Sequence, residues 1–279
     1  AFFPKVPESR LDMADYLCEI EWADRVLGEI VDILESRGLD ENTIIIFTSD
    51  NGMPFPRSKA TLYDHGVRMP LIVYWKSQIK GMRVVSDPVN LIELAPTILD
   101  LAGIDIPAQM TGRNIGNLLF SEESGSIDSD REFVITAFEK HTHCRPNELG
   151  YPRRAIHTEK WTYIINYEPE RYPMGDSDIF IPNWDILGET DPGQLKEYYK
   201  RNMGNSDFSY YYELAFGKAP GEQLFYKMDD PDMIHNMAED PVHYEIKIEL
   251  KNKLETYLIE TNDPRAHGMS PWDEYKLDK

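Results

Sequence analysis

The sequence predicts an α/β fold followed by a smaller α+β region built on an antiparallel sheet. Three observations carry that prediction. A long helical pattern is followed by a short apolar strand and, after a loop, by a second strand at residues 70–75, which is the alternation of an α/β layer. The first of these strands, Ile44-Ile45-Ile46-Phe47, is β-branched and lacks polar alternation, so it reads as a strand buried on both faces of a parallel sheet. From Ala155 the pattern changes: residues 155–157 and 161–167 flank Thr158-Glu159-Lys160 and read as an antiparallel hairpin. The division is therefore placed between residues 155 and 156, giving blocks 1–155 and 156–279.

The first helix is expected over residues 9–37. Ser9, with Asp12 three residues on, resembles a capping-box start. Leu11, Ala14, Leu17, Ile20, Ala23, Leu27, Ile30 and Leu34 recur at spacings of three or four, and Gly38 supplies the stop. Asp15, Glu19, Glu21, Asp24 and Glu29 read as its solvated face. Residues 89–94 read as a short strand and residues 96–102 as a helix, with Pro96 in its first turn and Gly103 past its end. The segment Ser121–Asp130 is small and acidic and reads as an exposed connection, and residues 132–138 read as a strand. Residues 168–222 are rich in Pro, Gly, Asp and Tyr with weak periodicity, a pattern of functional or peripheral chain rather than core. Residues 223–226 read as a strand and 241–259 as a helix with Ile246, Leu250, Leu254 and Leu258 on one face.

With 279 residues the chain can bury a substantial core. A formal net charge of −20 argues against nonspecific nucleic-acid binding, which needs a basic footprint. No segment approaches the roughly 18 apolar residues of a membrane span. Two cysteines, Cys18 and Cys144, provide neither a disulfide framework nor zinc-ligand spacing. The opening AFFPKVPESR carries no initiator Met or signal peptide and reads as a loop from within a longer protein.

The chemistry gathers after the Ile44 strand. Asp50, Asn51 and Gly52 follow it directly, where open α/β sheets place ligand-binding loops. A carboxylate and an amide oxygen suit a hard cation such as Ca²⁺ or Mg²⁺. Lys59, nine residues past Asp50, offers a positive charge to an anion beside that cation. Asp-Asn-Gly is also ordinary turn chemistry, and spacing alone favours that reading. A second concentration lies at Glu139-Lys140-His141-Thr142-His143-Cys144-Arg145, with Arg153-Arg154 shortly after. On an acidic chain such a basic patch focuses an anionic substrate, whereas His-x-His alone has too few ligands for a metal.

The longer string FTSDNG, then PFP, Lys59, Leu62-Tyr63, Gly66, Arg68, Pro70 and Leu71-Ile72-Val73, closely resembles the sulfatase family of the alkaline-phosphatase superfamily. Pro54-Phe55-Pro56 is most similar to the heparan N-sulfatases, and so is the His-containing segment followed by Tyr151-Pro152-Arg153-Arg154. Leu94–Asp100, Thr111-Gly112-Arg113, Gln223–Tyr226, Asp230-Pro231 and His235–Ala238 also resemble sulfatase segments, in structural roles.

The resemblance implies an alkaline-phosphatase-like mixed sheet flanked by helices, incomplete in this chain, and hydrolysis of a sulfate ester or sulfamate on a glycosaminoglycan sugar, N-sulfoglucosamine being the first expectation. It implies a formylglycine nucleophile and a calcium ion. It assigns Asp50 and Asn51 as metal ligands, Asp50 and Lys59 as catalytic contacts, and His141, His143 and Arg154 as substrate contacts. Asp-Asn, where zinc phosphatases of the superfamily have a His, favours calcium over zinc.

Neither cysteine lies in a Cys-x-Pro-x-Arg pattern, and no serine stands in the equivalent one. The resemblance extends over nearly all of this chain but only over the C-terminal part of the family. The expectation is that an N-terminal half, as a partner absent from this chain, supplies the nucleophile and the remaining metal ligands, and that these residues alone are inactive. The family resemblance implies a periplasmic, secreted or lysosomal location. Alternatives are a noncatalytic carbohydrate-binding or assembly module, and a phosphodiesterase or phosphonate hydrolase of the same superfamily.

Overall fold

Pro7–Ser36 forms α1 in the computed structural model, which describes residues 2–176 and 186–275. The helix begins on Pro7, whose fixed φ suits the first turn. Ser9 lies inside it and donates from Oγ to Pro4 O at 2.7 Å. Asp12 does not close a capping box on its own helix. It accepts from the backbone N–H groups of Gln194 (3.1 Å) and Leu195 (2.8 Å), capping a later helix instead. Gly38 ends the helix at φ +64°, a conformation that costs glycine nothing. The apolar stripe of α1 is not buried: Leu17, Ile20 and Ile30 are each about half exposed.

The chain forms two compact units. One contains residues 15–49 and 69–134, and the other contains residues 1–14, 50–68 and 135–279. Neither is a consecutive block, so the division differs from the one expected between residues 155 and 156.

In the first of these units, β1 (Ile45–Thr48) pairs antiparallel with β2 (Leu71–Tyr74), Ile45 opposite Tyr74 and Thr48 opposite Leu71. This corrects the expectation of a parallel strand buried on both faces: Ile45–Phe47 are half-buried and Thr48 is exposed. The expected strand at residues 89–94 is instead a 3₁₀ turn, Leu91–Glu93, closed by a capping box in which Asn90 and Glu93 satisfy each other's backbone N–H groups. It runs into α3 (Leu94–Leu101), which follows the short α2 (Asp64–Val67) in chain order. A buried polar scaffold ties this unit together. Arg131 Nη1 donates to Glu93 at 2.9 Å and Nη2 to Asn114 O, while the Asp87 carboxylate accepts from the N–H groups of Ile127 and Asp128. Arg113, half exposed, lies 3.8 Å from Glu93 in the same scaffold. The short α4 (Gly116–Phe120) buries Leu118.

The larger unit is built on a four-stranded sheet, order β3 (Phe133–Phe138), β4 (Arg153–Thr158), β5 (Trp161–Asn166) and β6 (Glu222–Tyr226). β4 pairs antiparallel with β5, and β5 with β6, as the hairpin reading expects. Ala155, Ile164 and Phe225 pack with Leu62 and Met233 in one buried cluster. Of the stretch 168–222, residues 177–185 lie outside the described residues, and the described remainder contributes to a core rather than lying at the periphery. It contains α5 (Gln194–Arg201) and α6 (Ser209–Phe216), whose Leu195, Tyr199 and Phe216 form a second core with Met174, Leu187 and Phe208. Tyr199 stacks edge-on against both Phe208 and Phe216, so aromatic packing replaces the aliphatic periodicity that a sequence scan detects. α7 (Tyr244–Glu260) buries Leu250, Leu254 and Leu258 and packs on β4 and β5, and α8 (Pro271–Glu274) follows. Among the described residues no helix is long and apolar enough to cross a membrane.

Candidate functional site

Residues 50–68 form a loop folded tightly on itself. Gly52 N–H donates to Gly66 O at 3.2 Å, and a Cβ on Gly52 would lie 2.0 Å from His65 O. Only glycine permits that approach, so the turn after Asp50-Asn51 is locked to the far end of the loop. Phe55, Arg57, Ser58, Thr61 and Leu62 are buried beneath it. Arg57 (φ +63°) and Ala60 (φ +59°) both adopt the left-handed conformation, at a cost of order 1 kcal/mol each for side chains with a Cβ. The surroundings impose that strain. Lys59 N–H donates to Met53 O at 2.9 Å, and the Arg57 guanidinium donates to Leu214 O and Met233 O. The effect is to lift Lys59 out of a buried turn.

Asp50 is exposed at the mouth of this loop, and Asn51, half-buried, donates from Nδ2 to Gly52 O at 2.9 Å. That bond fixes which end of the amide is nitrogen and directs Oδ1 elsewhere. A carboxylate and an amide oxygen are the donors a calcium ion takes, but Ca²⁺ needs six to eight. Among the described residues no three His, Cys, Asp or Glu side chains converge as a metal site. Asp50 and Asn51 therefore fit calcium as part of a ligand set.

Lys59 meets a second wall of the site. Its ammonium donates to both Asp191 oxygens, at 2.8 and 3.1 Å, with the two side chains 20% and 34% exposed. Two residues earlier in the chain, Glu189 is fully buried. Its Oε1 accepts from Arg145 Nη1 at 2.8 Å and its Oε2 lies 3.1 Å from His141 Nδ1. Arg145 is also buried and donates further to the carbonyls of Tyr172, from Nε, and Pro173, from Nη2. Burial alone would raise the Glu189 pKa, yet hydrogen bonds and charges from His141 and Arg145 carry it below the usual carboxylate range. A carboxylate only accepts, so His141 holds a proton on Nδ1. The hydrogen bond to Glu189 raises the His141 pKa against the opposing effects of part burial and the Lys59 charge.

The other predicted contacts lie deeper. His143 is buried, with Nδ1 3.4 Å from Glu148. Arg154, 1% exposed, is held by Asp263 and Glu139, each at 2.8 Å. Its charge is engaged within the protein by these two carboxylates. Cys144 is buried, and desolvation foremost pushes its thiol up to about 11, so it is an inert side chain rather than a nucleophile. Glu189 and Asp191 escaped the sequence reading. The signal available was Glu189-Thr190-Asp191 between Gly188 and Pro192-Gly193, acids in a turn-rich stretch that could only be described as functional or peripheral.

Comparison with known proteins gives the same family twice. The sulfatase family profile matches residues 1–104, and the profile of the C-terminal region of N-sulphoglucosamine sulphohydrolase matches residues 57–204. The human N-sulphoglucosamine sulphohydrolase is 29% identical over 94% of this chain and 51% of its own length. An ulvan-active sulfatase of Formosa agariphila is 28% identical over 93% of this chain and 41% of its own. The chain thus spans about half the length of these relatives. A structure solved with its substrate D-glucosamine-2-N,6-O-disulfate superposes with a TM-score of 0.64 at 21% identity, covering 95% of this chain and 42% of that one, a likeness of fold.

Proposed function

Because this chain belongs to the sulfatase family, we propose that the whole protein hydrolyses a sulfate ester or sulfamate on an amino sugar of a glycosaminoglycan, N-sulfoglucosamine first. The observation that supports the reading is the strained, self-closed loop that carries Asp50, Asn51 and Lys59, in a string that resembles the family's. In this reading Lys59 holds a sulfate oxygen, and Asp50 and Asn51 contribute to a calcium site. Calcium, when bound, polarises the sulfate oxygens so that charge developing in the transition state is stabilised electrostatically. His141 joins Lys59 at the sulfate through Nε2. His143 and Arg154 support the wall behind it, His143 against Glu148 and Arg154 between Asp263 and Glu139. The formylglycine nucleophile and the remaining metal ligands come from a part of the protein outside these residues, which alone are inactive.

Sulfate release from glucosamine N-sulfate, read by ion chromatography with and without calcium, tests the reading. Asp50→Ala should abolish calcium occupancy and sulfate release together, and a fully active variant sinks the assignment. Lys59→Ala should lower turnover with the melting temperature nearly unchanged, since its ion pair is partly exposed. Release of phosphate or phosphonate in place of sulfate would move the chain to another hydrolase class.

A further inference from the structure

The carboxylate of Asp191 stands against the one lysine assigned to the sulfate, where a negative charge opposes an anionic ligand. Both of its oxygens touch Lys59 Nζ. A carboxylate offers about four acceptor positions, and Lys59 occupies two. Glu189, on the same turn, turns its acceptors inward to Arg145 and His141. Asp191 is left one-third exposed beside the lysine.

The turn that carries it is fixed. Lys196, buried, donates from Nζ to Thr190 O at 2.7 Å, and Glu189 N–H donates to Met174 O. The Asp191 carboxylate is therefore presented on a rigid support, the condition under which an acceptor discriminates between ligands.

We propose that Asp191 is a specificity-determining residue that accepts a hydrogen bond from a hydroxyl or N–H group of the sugar bearing the sulfate. The assignment rests on the functional reading above. A sulfated sugar brings a donor for Asp191 and an anion for Lys59 at once. A bare sulfate brings only the anion and meets the carboxylate as repulsion, so the same side chain selects the sugar and weakens retention of released sulfate.

Calorimetric titration of the purified whole protein, including the part that supplies the nucleophile and the remaining metal ligands, with glucosamine N-sulfate and, separately, with inorganic sulfate tests this. Asp191→Asn should bind the sugar roughly 10–100-fold more weakly, the loss of a charged acceptor. It should bind inorganic sulfate as well as or better than the unmodified protein, because Lys59 is released from its counter-ion. The proposal is overturned if sugar affinity is unchanged, if both affinities fall together, or if the unmodified protein binds neither ligand or prefers bare sulfate. Sulfate release by the unmodified protein is assayed in parallel. Release with unchanged sugar affinity in Asp191→Asn removes the specificity assignment alone. The expected binding pattern without release removes the hydrolase reading alone.

Discussion

Replacing His157 by glutamine should make the protein less sensitive to acid. His157 sits in β4, buried, with Nε2 2.8 Å from Thr136 Oγ1 and Nδ1 3.0 Å from Thr162 Oγ1. Asp64 is 3.8 Å away, beyond hydrogen-bond reach, and is itself 3.9 Å from Lys227. Desolvation, with the Lys227 charge behind it, depresses the His157 pKa from 6.5 to about 3. A depressed folded-state pKa contributes stability that is complete above the unfolded value and declines as pH falls toward the folded one. The window is therefore pH 6.5 to about 3. At pH 5 the unfolded chain has gained about 1.5 pKa units of proton affinity that the folded protein forgoes, or about 2 kcal/mol. Glutamine can bond to both threonines but does not titrate. Urea midpoints at pH 7.5 and pH 5 should show His157→Gln destabilised at pH 7.5 and recovering about 2 kcal/mol relative to the unmodified protein at pH 5. Parallel losses in the two proteins would refute the reasoning, as would an imidazole resonance of His157 titrating near its ordinary value.

Three further outcomes follow from the site. Arg145→Met leaves the fully buried Glu189 carboxylate with His141 as its remaining charged partner and should cost about 3 kcal/mol in chemical denaturation. Gly52→Ala should displace the Asp50–Asn51 turn, because its methyl would overlap His65 O, and calorimetry should show weakened calcium binding with the secondary structure retained. The His141–Glu189 pair contributes stability below pH 6.5 that is lost as pH rises through the elevated His141 pKa; Glu189→Gln should flatten that part of the stability profile.

The parts legible in the sequence are those whose signal is local. Leu250, Leu254 and Leu258 recur every four residues and are buried along α7, and the 155–167 hairpin announces itself by two β-rich runs around a short turn. Neither the direction nor the burial of β1 was legible, because an apolar run marks a strand but not which partner it faces or what covers it. The helices α5 and α6 were hidden because their core is made of Tyr and Phe in a Gly- and Pro-rich setting, where tertiary packing overrides weak periodicity. Within the site, Asp50, Asn51 and Lys59 lie in one short string and could be read together. Asp191 could not, since nothing local marks a partner 132 residues away. For the same reason the sequence offers Arg154 as part of a basic patch and, by resemblance, as a substrate contact, with no sign of its pairing to Asp263, 109 residues later.

That 132-residue separation also sets a schedule for the protein's synthesis. A ribosome adding roughly 5–20 residues per second makes Asp191 on the order of 10 s after Lys59. During that interval Arg57 has neither the Leu214 nor the Met233 carbonyl to bind, and only local bonds such as Lys59 N–H to Met53 O act on the left-handed turns around Lys59. The loop is made before those partners and completes its long-range contacts only when they arrive. Damage around Leu214 in α6 or around Met233 would therefore be felt, through Arg57, at a lysine made long before them.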